Sequence, residues 1–195
     1  MNARSLTPDQ NPDDAPSFTV LRTLVNLLDN SQKQRIGLGN HIGAIRRGDS
    51  NNLPDHALLL ERWEARFKEL EESLLGEIKA NLKEHPVYPY IKQIHGMGPA
   101  LIGKLLAPID IHRAPTVSAL WRYCGQGVNE AGERDRPRKG ETLNYNARLK
   151  TVCYLIGVSF IKTGSPYRLI YDRAKSQYQA TRSDWTDAHI HMASM

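Results

Sequence analysis

From Pro54 onward, Leu60, Trp63, Phe67, Leu70, Leu74, Ile78 and Leu82 recur mostly at steps of three and four. A chain with that spacing closes its backbone bonds locally and lays one apolar stripe along about eight helical turns. Glu64 and Lys68 sit four apart on the outer face, where opposite charges support a helix. A helix this long has to cover its stripe, and the segment before it offers a partner. Phe18, Leu21, Val25, Leu28, Ile36, Leu38, Ile42 and Ile45 carry a helical period from Pro16, weakened in its second half by Gly37 and Gly39. The polar run Arg46–Asn52 joins the two as a loop. The expectation is an antiparallel coiled-coil arm over residues 17–84, preceded by a flexible, Pro- and Asp-rich tail at 1–16. The stripe serves either packing within the chain or a homodimer seam, and the spacing does not choose between them.

Pro86 and Pro89 mark a change of composition, so a second module is expected over residues 85–195, giving an all-α protein. It opens on Tyr90–Ala107, which reads Y-I-K-Q-I-H-G-M-G-P-A-L-I-G-K-L-L-A. Ile91 and Ile94 hold a helical period, Gly96-Met97-Gly98 interrupts it, and Leu101, Ile102, Leu105 and Leu106 begin another. This is the pattern of a helix-hairpin-helix motif. Glycines admit backbone angles that side chains resist and leave a turn bare. Pro99 suits a first helical position. Free amides and the dipole at a helix N-terminus attract anions, so the turn is expected to grip phosphate without reading sequence. The competing reading is a tight αα-corner that only packs.

Further on, Thr116 is placed to cap a short helix with Val117, Leu120 and Trp121, ended by Gly125. Residues 125–142 read as an exposed loop or β-hairpin in which Arg134, Arg136, Arg138 and Lys139 cluster. The next helix carries Arg148 and Lys150 near its start, against the dipole, and Leu149, Val152, Cys153, Ile156 and Phe160 on its buried face. Ser165-Pro166 reads as a cap and first-turn proline for a helix bearing Tyr167, Ile170, Tyr171, Ala174 and Tyr178. A last pattern, Trp185, Ala188 and Met192, reaches Met195 without a closing cap, as expected of either a chain cut short or a helix completed against a partner.

Composition narrows the function classes. The chain has 195 residues with net charge +5 and a pI near 9.2, which permits a nucleic-acid partner without demanding one. Two cysteines in separate segments do not make a disulfide framework, so Cys124 and Cys153 are expected as core thiols in a reducing, cytoplasmic setting. The N-terminus lacks the apolar core of a signal peptide, and no run suits a membrane span. His189 and His191 with Asp187 do not make a metal site, because residues two apart on a helix face away from each other. No cofactor or metal is expected, and no carboxylate cluster suggests a two-metal nuclease. Tyr88, Tyr90 and Tyr145 flank basic residues and suit either base stacking or core packing.

Three segments in order carry a family resemblance: H-P-V-Y-P-Y-I-K-Q-I-H-G-M-G-P from His85, L-W-R-Y-C-G at Leu120–Gly125, and K-G-E-T-L-N-Y-N-A-R-L-K-T-V from Lys139. Together they resemble the C-terminal transposase domain of the IS-one-ten group of insertion-sequence transposases, with its IS-one-sixteen and IS-nine-oh-two types. The arm resembles the coiled coil that precedes that domain. The resemblance implies binding of DNA, or of structured RNA, in transposition, recombination or a phage process. It does not imply independent strand cleavage. The family's RuvC-like nuclease acids lie ahead of the arm, where this chain has its short tail. The family also has a nucleophilic serine in the loop that here, between Gly125 and Asn144, offers only Thr142 as a hydroxyl amino acid. The expected contacts are Lys92, His95, Gly96, Gly98, Lys104, Arg134, Arg136, Arg138, Lys139, Arg148 and Lys150, with no catalytic residue. Two alternatives stand beside this reading. One is a helical interaction or dimerisation module without a nucleic-acid role. The other is a recombinase subunit completed by a separate nuclease.

Overall fold

The computed structural model describes residues 16–49, 54–109, 114–128, 132, 139–140 and 143–182. Among these the chain is all-α, with seven helices and no strand. It divides into two compact units, 1–85 and 86–195. No helix among the described residues is long and apolar enough to cross a membrane. The closing Trp185–Met192 pattern and most of the 125–142 loop lie outside the described residues.

The first unit is a helical hairpin of α1 (Pro16–Arg47) and α2 (Pro54–Lys83). Its seam is apolar at the open end, where Leu21, Val25, Leu28, Ile78 and Leu82 are almost fully buried and Leu74 nearly so. Burying each of these large side chains stabilises the pair by about 1.5–3 kcal/mol. Ile42 and Ala57 close the seam near the connecting loop. Between these two apolar stretches the seam is polar. Ser31 and Glu71 are buried, and Arg35 Nε donates to Glu71 Oε1 at 2.8 Å. The Ser31 hydroxyl faces the Phe67 carbonyl at 3.4 Å, and a Cβ on Gly39 would lie 3.5 Å from Glu64 Oε1.

These contacts correct the stripe read from sequence. The inward line of α2 repeats every seven residues through Ala57, Glu64, Glu71 and Ile78, with Phe67, Leu74 and Leu82 beside it. Trp63 and Leu70, one position back from Glu64 and Glu71, are 50% and 47% exposed. Ile36 is likewise on the outside of α1. Gly37 and Gly39 do not interrupt α1, which runs unbroken to Arg47. Each costs about 1 kcal/mol in propensity, less than the packing on either side provides.

The second unit is built on α6 (Ala147–Thr163), against which α4 (Pro99–Leu106) and α7 (Arg168–Thr181) pack. Two shorter helices, α3 (Tyr88–Ile91) and α5 (Val117–Tyr123), complete it. The core joins Met97, Ile102, Leu106, Ala107, Ala114, Cys124, Leu149 and Val152. The caps follow local chemistry. Thr116 Oγ1 accepts from the Ala119 amide at 3.2 Å, and Asn146 Oδ1 accepts from the Leu149 amide at 3.0 Å. Asn146 also ties α6 to α5, donating from Nδ2 to the Tyr123 hydroxyl, which in turn donates to the Pro108 carbonyl. Gly164, with φ of 67°, closes α6. Ser165 departs from expectation: its hydroxyl is buried and has no hydrogen bond among the described residues. Its carbonyl instead accepts from the Arg168 amide at 2.8 Å, so α7 starts two residues after Pro166.

Candidate nucleic-acid interface

The turn between α3 and α4 starts from its two prolines. Pro89 lies in the first turn of α3 and Pro99 opens α4, leaving little chain between them. The first apolar period therefore makes only one helical turn. The chain then folds through bonds from Ile94 N to Ile91 O and from Met97 N to Ile94 O, both 3.0 Å. Met97 turns inward as a plug.

The two glycines do different jobs. Gly96 has φ of 95°, a conformation side chains resist. A Cβ there would meet Thr163 Oγ1 at 2.8 Å and Phe160 Cδ1 at 3.1 Å. The turn is held against the end of α6 on both sides of that contact. The Ser159 hydroxyl donates to the Gly96 carbonyl at 2.7 Å, and His95 Nε2 bonds the Thr163 carbonyl at 2.9 Å, so this nitrogen carries the hydrogen. Gly96 thus faces α6, which corrects the picture of two bare glycines. Gly98 is the open one. It is exposed, has ordinary extended angles of −79° and 163°, and would present a Cβ to empty space. It is the N-cap of α4 and provides no capping side chain. The amides of Ala100 and Leu101 make no hydrogen bond within the described residues.

The other expected contacts fall into two groups. Lys92 and His95 are exposed beside the turn, with Lys92 Nζ 6.0 Å from the Tyr88 ring. Lys104 sits in the last turn of α4, where a cation complements the dipole, about 9 Å along the axis from Gly98. Arg148 and Lys150 belong to the opposite end of α6. Thirteen residues separate Lys150 from Thr163, about 20 Å of helix. Arg148 is exposed there, and Lys139, ahead of α6 in the chain, is exposed as well. Lys150 is half-buried, with Nζ 4.4 Å over the Tyr145 ring and its stem 2.9 Å from where a Gly125 Cβ would stand. That contact accounts for a lysine set against the α6 dipole. Arg134, Arg136 and Arg138 lie outside the described residues.

Sequence reading missed two things. Ser159, Phe160 and Thr163 buttress the turn, and no local pattern links them to residues more than sixty positions earlier. The second was countable. Residues 86–195 hold fifteen Lys and Arg against eight Asp and Glu, net +7, while residues 1–85 hold eleven against thirteen, net −2. Among the described residues of the second unit, eleven cations face one acid, Asp172, which pairs with Arg168 at 3.3 Å. Lys162 is exposed next to Thr163, at the same end of α6 as the turn.

The cysteines are poorly suited to chemistry. Burial first, then the neighbouring Cys153, pushes the Cys124 thiol up to about 12. Burial also raises Cys153. No group of three or more His, Cys, Asp or Glu among the described residues is arranged to hold a metal. Comparison of the chain with protein-family models, curated proteins and solved structures finds no match.

Proposed function

We propose that the second unit binds nucleic-acid backbone, as a transposase-like DNA-binding protein of a mobile element or phage. The observation that carries this reading is Gly98: an exposed, sterically open N-cap with no capping side chain, at a helix end whose next amides are unbonded. A phosphate oxygen there would accept from those amides and meet the positive end of α4. The +7 balance of the unit supplies the longer-range attraction. Lys92 lies beside the turn and Lys162 at the same end of α6, Arg148 carries positive charge at the far end of α6, and Lys139 adds an exposed cation ahead of that helix in the chain. The intervening 20 Å or so corresponds to about six phosphates along one strand. Contacts of this kind position a strand and do not read bases. Cleavage is not part of the proposal.

The test is an equilibrium titration of labelled duplex at several salt concentrations. The logarithm of affinity should fall linearly with that of salt, with a slope of about −0.9 per phosphate contacted. A flat profile contradicts the reading. Parallel titrations with single-stranded DNA and structured RNA rank the polymers.

A second reading is supported by apolar exposure. Val117 and Trp121 on α5, and Leu169 and Ile170 on α7, are each more than 60% exposed, and apolar side chains left in water offer contacts to another protein. Indifference to every nucleic acid, with the fold intact, would favour it.

A further inference from the structure

The chain has two cysteines, Cys124 and Cys153, and the fold of the second unit brings them together from separate segments. The residues on either side of Cys124 fix where it lies. The Tyr123 carbonyl accepts from the Asn146 amide at 2.9 Å, and the Tyr123 hydroxyl accepts from Asn146 Nδ2 at 3.2 Å. On the other side, a Cβ on Gly125 would stand 2.7 Å from the Tyr145 ring and 2.9 Å from the Lys150 stem. Cys124 is therefore held against the first turns of α6. Asn146, Lys150 and Cys153 follow at steps of four and three, so they share that face of the helix. The two side chains meet there, and the Cys124 S–H donates to the Cys153 sulfur. Sulfurs in contact on neighbouring backbone segments meet the first condition for a disulfide. Access differs between them: Cys124 is 8% exposed, whereas Cys153 is half-buried. Burial disfavours both thiolates, which makes these side chains poor catalysts. It does not prevent the slow oxidation of a pair already in contact.

We infer that Cys124 and Cys153 are a modification site, closing a reversible disulfide between the end of α5 and α6 when the chain meets hydrogen peroxide. Cys153 is the sulfur a small oxidant reaches first, and the hydrogen bond from Cys124 favours it as the thiolate. The Cys153 sulfur attacks one peroxide oxygen and the O–O bond breaks. That oxygen stays on sulfur as a sulfenic acid, and the other leaves as water with the thiol proton. The Cys124 sulfur then attacks the Cys153 sulfur, the S–O bond breaks, and a second water leaves with the Cys124 proton. Two thiols lose two electrons, and one peroxide becomes two waters. A dithiol reverses the bond by exchange. The bond closes residues 125–152 into a ring anchored on α6, and this segment carries Arg134, Arg136, Arg138 and Lys139. Ring closure removes freedom from the unfolded chain, so the oxidised unit is harder to unfold. None of this chemistry depends on nucleic-acid binding.

The test is treatment of the reduced full chain with hydrogen peroxide, then alkylation in denaturant and mass measurement without reductant. The wild type should lose both alkylation sites and remain a single chain of 22.0 kDa. Digestion should release one linked peptide pair holding Cys124 and Cys153, and dithiothreitol should restore both sites. The melting temperature should rise by at least about 5 °C on oxidation and fall back on reduction. Cys124→Ser cannot close the bond, so dimedone should trap a sulfenic acid on its Cys153, and peroxide should not raise its melting temperature. A wild type that keeps two alkylatable thiols after peroxide overturns the inference. So does a link that forms only between chains, or one that forms in urea but not in the folded chain.

Discussion

Gly96 and Gly98 stand two residues apart in the same motif, yet the fold needs only one of them. At Gly96 an alanine meets both the positive φ and the Thr163 hydroxyl 2.8 Å away. Gly96→Ala should cost about 2 kcal/mol, read as a lowered midpoint in denaturant. Gly98→Ala should leave that midpoint nearly unchanged, since its Cβ enters open space at ordinary angles. Equal losses at both would contradict this division. The sequence shows two glycines around a methionine. It does not show which one α6 presses against, because Ser159, Phe160 and Thr163 arrive through long-range packing. The cysteines were legible: both sit in apolar runs, and Cys124 is buried. With the Cys124 thiol raised from 9.0 to about 12, the folded and unfolded chains both keep the proton below about pH 9. Between about pH 9 and 12 the unfolded thiol ionises and the folded one does not, so stability falls across that window. At pH 8 iodoacetamide should alkylate the native chain slowly and the denatured chain quickly. Rapid native labelling of Cys124 would show that burial does not protect it.

Among the elements, the hairpin was the easiest to foresee and its facing the hardest. Helical period, prolines at Pro16 and Pro54 and the polar loop between them mark two long helices. The facing was misread because residue type led the reading. Trp63 and Leu70 are the more apolar members of the Trp63-Glu64 and Leu70-Glu71 pairs, yet Glu71 is buried because Arg35 reaches it across the seam. A buried ion pair adds little net stability over an apolar pair but strongly disfavours alignments that separate its partners. Arg35→Ala should therefore destabilise the chain by roughly 3 kcal/mol, leaving the Glu71 carboxylate buried alone. Arg35→Met with Glu71→Met should come within about 1 kcal/mol of the wild type or exceed it. Chemical denaturation of both variants checks the order. A double variant weaker than Arg35→Ala would mean the pair stabilises the seam outright. The turn motif was legible as glycines and a first-turn proline, but its first helix is a single turn, followed by tight turns from Ile91 to Ile94 and from Ile94 to Met97.

Over the whole molecule, charge separates the two units more sharply than composition does. A chain total of +5 conceals −2 in the arm and +7 in the second unit. Counting by unit turns a weak basic signal into a specific one. The physical features of the turn give the proposed backbone binding a mechanism that can be tested at one residue. Gly98→Asp separates binding from folding. Aspartate is a favoured N-cap in the extended conformation that Gly98 holds, so it should satisfy α4's free amides and leave thermal stability equal or slightly higher. The same carboxylate would occupy and repel the phosphate position. The measurement is the affinity of the wild type and Gly98→Asp for a labelled duplex at one low salt concentration, beside their melting temperatures. The account predicts an undiminished melting temperature and an affinity at least tenfold weaker. Unchanged affinity in a variant that melts no lower would contradict it.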